Sequence, residues 1–257
     1  MTVRGTLINT AAIIVGTAIG MIVGDRYPQK MKETVMSGLG LVTSIIGIKM
    51  ALTTENILYP LAGIALGGIL GEILDLNMWV NRLGDYLESK FYKLGAKRSK
   101  GKKGFCADKE EALLDGNAYS QGAFSKGFVT ASLLFCIGPM AIIGGIQDGL
   151  TGDFSTLAAK ATIDGFTSIA FASSLGIGVG LSCVPVFIYQ GAITLGAGFF
   201  SQILSAQMVT EMTAVGGLLL FAIGLGLLEI KEIRVANLLP AIVITPAICS
   251  LVSAFGM

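Results

Sequence analysis

Apolar residues fall in long runs along this chain, unlike the strict alternation of a half-buried strand. A helix needs about 20 mostly apolar residues to cross a bilayer. Eight runs approach or reach that length: 6–24, 35–52, 56–74, 127–146, 165–181, 184–204, 211–229 and 237–255. The pattern predicts an all-α polytopic bundle of about eight transmembrane helices, with residues 1–257 forming one integral membrane domain.

The fifth run, 165–181, is the least apolar of the eight because it is rich in Ser, Thr and Gly. It reaches the sixth run through only Ser182 and Cys183. Irregular backbone is tolerated at membrane depth where protein surrounds it. A re-entrant hairpin is therefore an alternative to a full span at this point.

Composition supports the membrane prediction. Hydrophobic residues make up 53% of the chain and charged residues 14%, against about 25% charged residues in soluble domains. Mean hydropathy is +0.75 and net charge is +1, so neither a soluble enzyme nor a basic nucleic-acid binder is expected. The chain has no histidine, the commonest general base and metal ligand. We expect no enzymatic activity, no catalytic residues and no cofactor, and the sequence does not indicate which metal, if any, is bound.

Lysines and arginines predict the orientation, because they concentrate in cytoplasmic loops. Placing the N-terminus outside puts fifteen of the eighteen basic residues inside, in segments 25–34, 75–126 and 230–236. Only Arg4, Lys49 and Lys160 then lie outside or near it. An even number of spans is needed for this agreement, so both termini are predicted outside.

The long polar segment 75–126 is predicted to be a cytoplasmic insert. Its first part has apolar residues every four positions, typical of an amphipathic helix at a membrane surface: Trp79, Leu83, Leu87 and Phe91. A basic run at 97–103 follows. This insert is either a solvated linker that fixes orientation or a patch that binds anionic lipid or a regulator.

Weak self-similarity predicts an internal repeat. Gly40-Leu41 and Ile46-Gly47 in the second run match Gly217-Leu218 and Ile223-Gly224 in the seventh, all at an offset of 177. Two further matches join the third run to the eighth and the first to the sixth: Asn56 and Pro60 with Asn237 and Pro240, and Gly20 with Gly196. Runs one to three are thus related to runs six to eight. Because related runs are five spans apart, the repeat is inverted, as in many secondary transporters.

Glycines recur four residues apart in two runs, at 16, 20 and 24 and at 63, 67 and 71. Such small faces let helix backbones approach closely. The alternative is that some of these glycines line a pore. Tight glycine faces also make a homodimer plausible.

Polar residues inside or beside the runs are the candidate ligand- or ion-binding groups, because such residues in hydrocarbon usually mark a site. They are Asn9, Gln147, Asp148, Asp153, Asp164, Gln190, Glu211 and Asn237. Pro139 inside the fourth run frees a backbone carbonyl, and the carboxylate and amide oxygens suit a hard cation or a proton. Lys160 and Asp164 are four residues apart and can pair on a helix. The alternative for 147–164 is a solvated extracellular loop.

Four sequence blocks resemble the YqgA/YdfK-like bacterial membrane proteins, the family of domain of unknown function 554. The blocks are Gly5–Asn9, Gly38–Leu52, Phe135–Gly149 and Glu211–Pro240. The resemblance covers nearly the whole chain apart from the insert around 96–120, and it implies a multi-span inner-membrane protein. It supplies no substrate and no mechanism.

The leading hypothesis is a small secondary transporter or ion permease for a small solute or cation, with its carboxylates handling a cation or a proton. The alternative is a non-transporting membrane sensor or assembly partner that acts through the basic insert. In both, the expected surroundings are the lipid bilayer of the bacterial inner membrane.

Overall fold

The computed structural model describes residues 3–24, 26, 28–80, 82, 86 and 119–254, leaving out the side chains of Gln29 and of 119–123. These residues form helices and connecting turns, with no strand among them. The helices are α1 Arg4–Gly24, α2 Gln29–Ala51, α3 Leu58–Leu74, α4 Tyr119–Cys136, α5 Pro139–Thr151, α6 Ser155–Leu175, α7 Gly178–Leu181, α8 Cys183–Leu195, α9 Ala197–Ile203, α10 Ala206–Leu227, a 3₁₀ turn Val235–Leu238 and α11 Ala241–Ala254.

The all-helical prediction is confirmed for the described residues. Five helical stretches there are long and apolar enough to cross a membrane, and a sixth counts if the bent pair α4–α5 is one span. The apolar helix α3, with 17 residues, is shorter. This is fewer than the eight predicted spans, because α3 is short, the fourth run is broken and the fifth is displaced.

The fourth run was predicted to be one helix with Pro139 inside it, but the helix is broken at that proline. Helix α4 ends at Cys136, α5 begins with Pro139 as its first residue, and the two axes differ by 58°. Gly138 has an extended backbone (φ −112°, ψ 147°), as expected because proline disfavours the helical conformation of the residue before it. Pro139 therefore starts a helix rather than kinking one.

The fifth run is displaced toward the N-terminus. The predicted separator 147–164 contains the first half of α6, which spans Ser155–Leu175. Helix α6 runs parallel to α1 and packs on the glycine face of α1, since Gly5 packs on Leu157 and Gly24 on Ser173. Residues 165–175 thus continue a helix that begins at Ser155, and the chain turns at Gly176 into α7 and α8.

Three helix pairs pack antiparallel. Contacts at glycines join Gly47 to Gly217 and Gly40 to Gly224 between α2 and α10, and Gly67 to Ala241 between α3 and α11. The segment α7–α8 lies antiparallel to α1, since Asn9 contacts Gln190 of α8 and Thr17 packs on Gly180 of α7.

The predicted glycine faces are packing faces. A β-carbon at Gly16, Gly20 or Gly24 would overlap a carbonyl oxygen of α6. At Gly67 and Gly71 it would overlap the backbone of the segment from the 3₁₀ turn into α11. These glycines allow backbone contact, so the structure favours packing over pore lining.

The basic segments that flank the helices share one end of the bundle. Arg234, after α10, forms an ion pair of 2.6 Å with Glu72 near the end of α3. Lys126, near the start of α4, donates a hydrogen bond to the Gly226 carbonyl. We call this the basic end. Of the predicted insert, residues 76–80 are helical and Trp79 is exposed, whereas the amphipathic pattern beyond them and the basic run 97–103 lie largely or wholly outside the described residues.

Candidate functional site

A buried polar network joins three helices in the half of the bundle away from the basic end. Asn9 of α1 donates through Nδ2 to Asp164 Oδ2 of α6 at 3.0 Å and to Gln190 Oε1 of α8 at 3.2 Å. Asn9 and Gln190 are fully buried, and Asp164 is 6% exposed. Three predicted site residues from distant parts of the chain are thus brought together.

Asp164 also forms an ion pair with Lys160, one turn earlier on the same helix. Both side chains are buried, at 8% and 6% exposure. The Lys160 Nζ also lies 6.0 Å from the centroid of the Phe135 ring. A buried ion pair loses much hydration free energy, so it persists only where each charge has close partners. The pairing predicted from spacing is therefore confirmed, and it is internal rather than solvent-exposed.

Several polar atoms around this network have no hydrogen-bond partner. They are Asn9 Oδ1, Gln190 Nε2, Thr6 Oγ1, Ser168 Oγ and Thr194 Oγ1. Buried polar atoms are almost always paired in folded proteins, so a group of unpaired ones needs an explanation. A bound ion, solute or water would satisfy them.

Asp148 of α5 lies close to the same region. Its Oδ2 accepts a hydrogen bond of 3.1 Å from the backbone N–H of Gly5, one turn before Asn9 on α1. Its Oδ1 has no partner, and the residue is 1% exposed. Gly145 and Gly149, on either side of it, both pack against Thr194 of α8. Asp148 is therefore a buried carboxylate at the N-terminus of α1, not a loop residue.

Gln147 and Asp153 lie outside this buried network. Gln147 is half-buried and accepts a hydrogen bond of 2.7 Å from the Thr156 hydroxyl. Asp153 is exposed and accepts from the Ser155 backbone N–H at 3.0 Å. That hydrogen bond, which starts α6, lowers the pKa of the Asp153 carboxyl below its usual value.

Glu211 forms a separate polar site between α10 and the loop that joins α2 to α3. It is fully buried and accepts from the Thr54 hydroxyl at 2.6 Å and from the Glu55 backbone N–H at 2.8 Å. The seventh apolar run was predicted to begin at Glu211, but α10 begins five residues earlier, at Ala206, with Ser205 as its cap. Loop donors, rather than the helix N-terminus, therefore hold its charge.

Asn237 lies at the basic end, remote from the network. Its Oδ1 accepts a hydrogen bond of 2.6 Å from the Asn77 backbone N–H, and its Nδ2 donates to Glu72 Oε2 at 2.6 Å. Glu72 also pairs with Arg234. This arrangement ties the 3₁₀ turn to the end of α3.

Sequence reasoning missed Thr6 and Thr194 as members of the buried region. Both are fully buried, and helical spacing places Thr6 three residues before Asn9 and Thr194 four residues after Gln190. That spacing puts each threonine on the same face as its neighbour and was the available signal.

The charged groups of the network balance each other. Within the described residues, no three or more Cys, Asp or Glu side chains come together in a group that could hold a metal ion. The network offers one carboxylate from α6, amides from α1 and α8, and the ammonium of Lys160. One carboxylate balances one positive charge.

Comparison with known proteins identifies the family. Residues 4–250 match the family model described as "Protein of unknown function (DUF554)". The chain is 31% identical to "Uncharacterized membrane protein YdfK" of Bacillus subtilis (strain 168), with 98% of each chain covered. It is also 31% identical to "Uncharacterized protein YqgA" of Escherichia coli (strain K12), with 94% of each covered. No solved structure matches. The chain belongs to the DUF554 family.

Proposed function

We propose that this protein is a small secondary transporter or ion permease, with a non-enzymatic role in the bacterial inner membrane. The observation that supports this most directly is the buried network of Asn9, Asp164 and Gln190 with its unpaired polar atoms. Charged groups within apolar helices are costly and usually mark a substrate or ion pathway. Asp148, buried nearby with an unpaired oxygen, is the second carboxylate of the proposed site.

The proposed architecture is eight spans with an inverted repeat. The contacts between α2 and α10 support it, because the offset of 177 that carries Gly40 onto Gly217 also carries Gly47 onto Gly224. Gly40 packs on Gly224, and Gly47 packs on Gly217. Replacing each residue by its repeat counterpart therefore turns the first contact into the second. A two-fold axis in the membrane plane produces such reciprocal contacts.

The other related helices support the same axis. Helix α1 lies antiparallel to α8, and α3 lies antiparallel to α11, so each helix of the first triplet packs on its counterpart. Counting α6, the bent pair α4–α5 and α7–α8 as spans gives eight passages between the two ends. The proposed eight therefore include helices that are shorter or more polar than a usual span.

The proposed orientation has both termini outside and the basic end in the cytoplasm. It is tested by single cysteines introduced at Lys100 and Gly256 and labelled in intact cells with an impermeant reagent. We expect labelling at 256 and none at 100 until the membrane is opened. The reverse result would contradict the orientation.

The transport proposal is tested first by ligand binding. Purified wild type and Asp148→Asn are melted in NaCl, LiCl, KCl, MgCl₂ and MnCl₂ across a pH series. A ligand that binds the folded state raises the melting temperature with its concentration. We expect at least one salt or pH step to stabilise the wild type and to act more weakly on the variant.

Glu232→Gln is the control, because Glu232 is an exposed carboxylate near the basic end. It is expected to respond as the wild type does. Identical responses of the wild type and Asp148→Asn to every salt and pH would remove Asp148 from the site. Deleting 97–115 separates this proposal from the sensor alternative, since a transporter is expected to keep its ion response without that segment.

A further inference from the structure

We propose that Asp164 binds a monovalent cation in exchange for one proton released by Lys160. This inference rests on the proposed transport function and specifies its chemistry. The two side chains form an ion pair within one helix turn, and both are more than nine-tenths buried. The Asp164 carboxylate could thus bind a cation, but in this state it is paired with the Lys160 ammonium.

Oxygen atoms for the incoming cation are present beside the carboxylate. Asn9 uses its Nδ2 to hold Asp164 and Gln190, which leaves its Oδ1 without a partner in a fully buried position. Amide carbonyl and carboxylate oxygens are the ligands that hard cations prefer. A small rotation of the Lys160 side chain away from Asp164 would open the carboxylate to such an ion.

Charge balance determines what must leave. If a monovalent cation replaced the ammonium while Lys160 stayed charged, the site would gain one positive charge in an apolar interior. An unpaired buried ammonium is unstable relative to the neutral amine. Lys160 therefore releases one proton as the cation binds Asp164, and it takes one up as the cation leaves. The net charge of the site is the same in both states.

The other titratable groups around the pair come from the helices packed against α6. Cys136 at the end of α4 lies near both Lys160 and Asp164. Tyr189 of α8 lies near Cys136, and Asp148 of α5 lies one turn of α1 away, at Gly5. Asn9 of α1 contacts Asp164, and Gln190 of α8 contacts Asn9, and both are neutral amides. Lys160 is thus the only cation within this set.

The exchange is tested with a variant that keeps the ion pair but cannot release the proton. Arginine stays charged at all accessible pH values, so Lys160→Arg preserves the salt bridge and blocks exchange. A merely structural role of Lys160 predicts that this conservative variant behaves as the wild type. Glu232→Gln is the control for an unrelated surface charge.

Protein is reconstituted into liposomes that contain a pH dye and a sodium dye, and NaCl, LiCl, KCl or choline chloride is added outside. We expect liposomes with wild type or Glu232→Gln to take up at least one alkali cation while the luminal pH rises. Lys160→Arg is expected to fall to the level of protein-free liposomes for both signals. If Lys160→Arg does not fold, proton release is measured on adding the same salts to wild type in weak buffer, with one proton per chain expected.

Cation uptake without proton counterflow, or exchange by Lys160→Arg at the wild-type rate, would overturn this inference and leave transport standing. So would the absence of alkali-cation uptake when the melting screen still shows a ligand at Asp148. Absence of both uptake and any ligand response would overturn the proposed function as well.

Discussion

Two antiparallel crossings each join a helix to its counterpart in the proposed repeat, but one contact is made by glycines and the other by polar side chains. Between α2 and α10, Gly47 meets Gly217 and Gly40 meets Gly224, so backbone packs on backbone. Between α1 and α8, Asn9 meets Gln190, and Asp164 joins them from α6. At the glycine crossing the two helix backbones touch directly, and the polar contacts lie at its end, where Glu211 meets Thr54 and Glu55. At the polar crossing the amides and the carboxylate lie between the helices themselves, and this position is what supports a binding role.

The first prediction is that Gly217→Val pushes α2 and α10 apart at the glycine crossing. The new side chain would overlap the backbone of α2 at Gly47 and Ala51, and such overpacking costs about 3 kcal/mol or more. We expect loss of the monodisperse peak in size-exclusion chromatography. Gly226→Val is the matched control in the same helix, because nothing lies within 4 Å of a β-carbon there. Equal behaviour of the two variants would mean that the crossing is not tightly packed.

The second prediction concerns Glu211, which anchors the end of the glycine crossing that lies away from the basic end. Glu211→Gln places an amide group against the Thr54 hydroxyl and the Glu55 backbone N–H. Losing a charged acceptor from buried donors costs about 1–3 kcal/mol. We expect a lower melting temperature, while ion-dependent stabilisation through Asp148 is retained. A loss of the ion response with normal stability would instead place Glu211 in the transport site.

The third prediction sharpens the polar side of the comparison with Asn9→Leu. This change removes the donor shared by Asp164 and Gln190 and fills the space with apolar atoms. Because the change leaves the buried Gln190 Oε1 without its donor and takes one donor from Asp164, the cost is expected to be about 1–2 kcal/mol. The ion response in the melting screen is expected to disappear. A large loss of stability would indicate that the network is structural.

The smallest effect is expected at Asp153, the exposed carboxylate that starts α6. Its folded-state pKa is lowered by the Ser155 N–H, so its stabilising effect is present above the usual carboxyl pKa. That effect is lost as the pH falls through the lowered value. Asp153→Asn is expected to reduce the pH dependence of the melting temperature in this acidic range only and to leave the ion response unchanged. Glu232→Gln controls for the loss of one surface charge.

The sequence predicted the helical class well but located the helices in the polar part of the bundle less accurately. The run 6–24 carries no charged residue and is mostly apolar, so α1 was predicted almost to its ends. The first half of α6 was missed because Lys160 and Asp164 interrupt the apolar pattern there. In the folded chain the two charges neutralise each other and face α1, a fact that depends on which helices become neighbours.

The same limit applies to the site. The sequence identified Asn9, Asp164 and Gln190 as polar residues in apolar surroundings, and the structure places them in contact. It could not separate them from Glu211 and Asn237, which lie in other polar surroundings. Spacing along one helix predicts which residues share a face, whereas the meeting of α1, α6 and α8 depends on contacts more than 140 residues apart in sequence.

The parallel packing of α1 on α6 has a consequence for biosynthesis. Helix α1 leaves the ribosome long before α6 and α8. During that time Asn9 lacks its partners Asp164 and Gln190. Helix α6 carries Lys160 and Asp164 and is not among the helices apolar enough to insert by composition alone. Its entry into the bilayer is therefore expected to depend on α1 already being there, with the glycine face exposed to receive it. Chain order would then set assembly order, and damage to α1 would first be seen as a failure of α6 to insert.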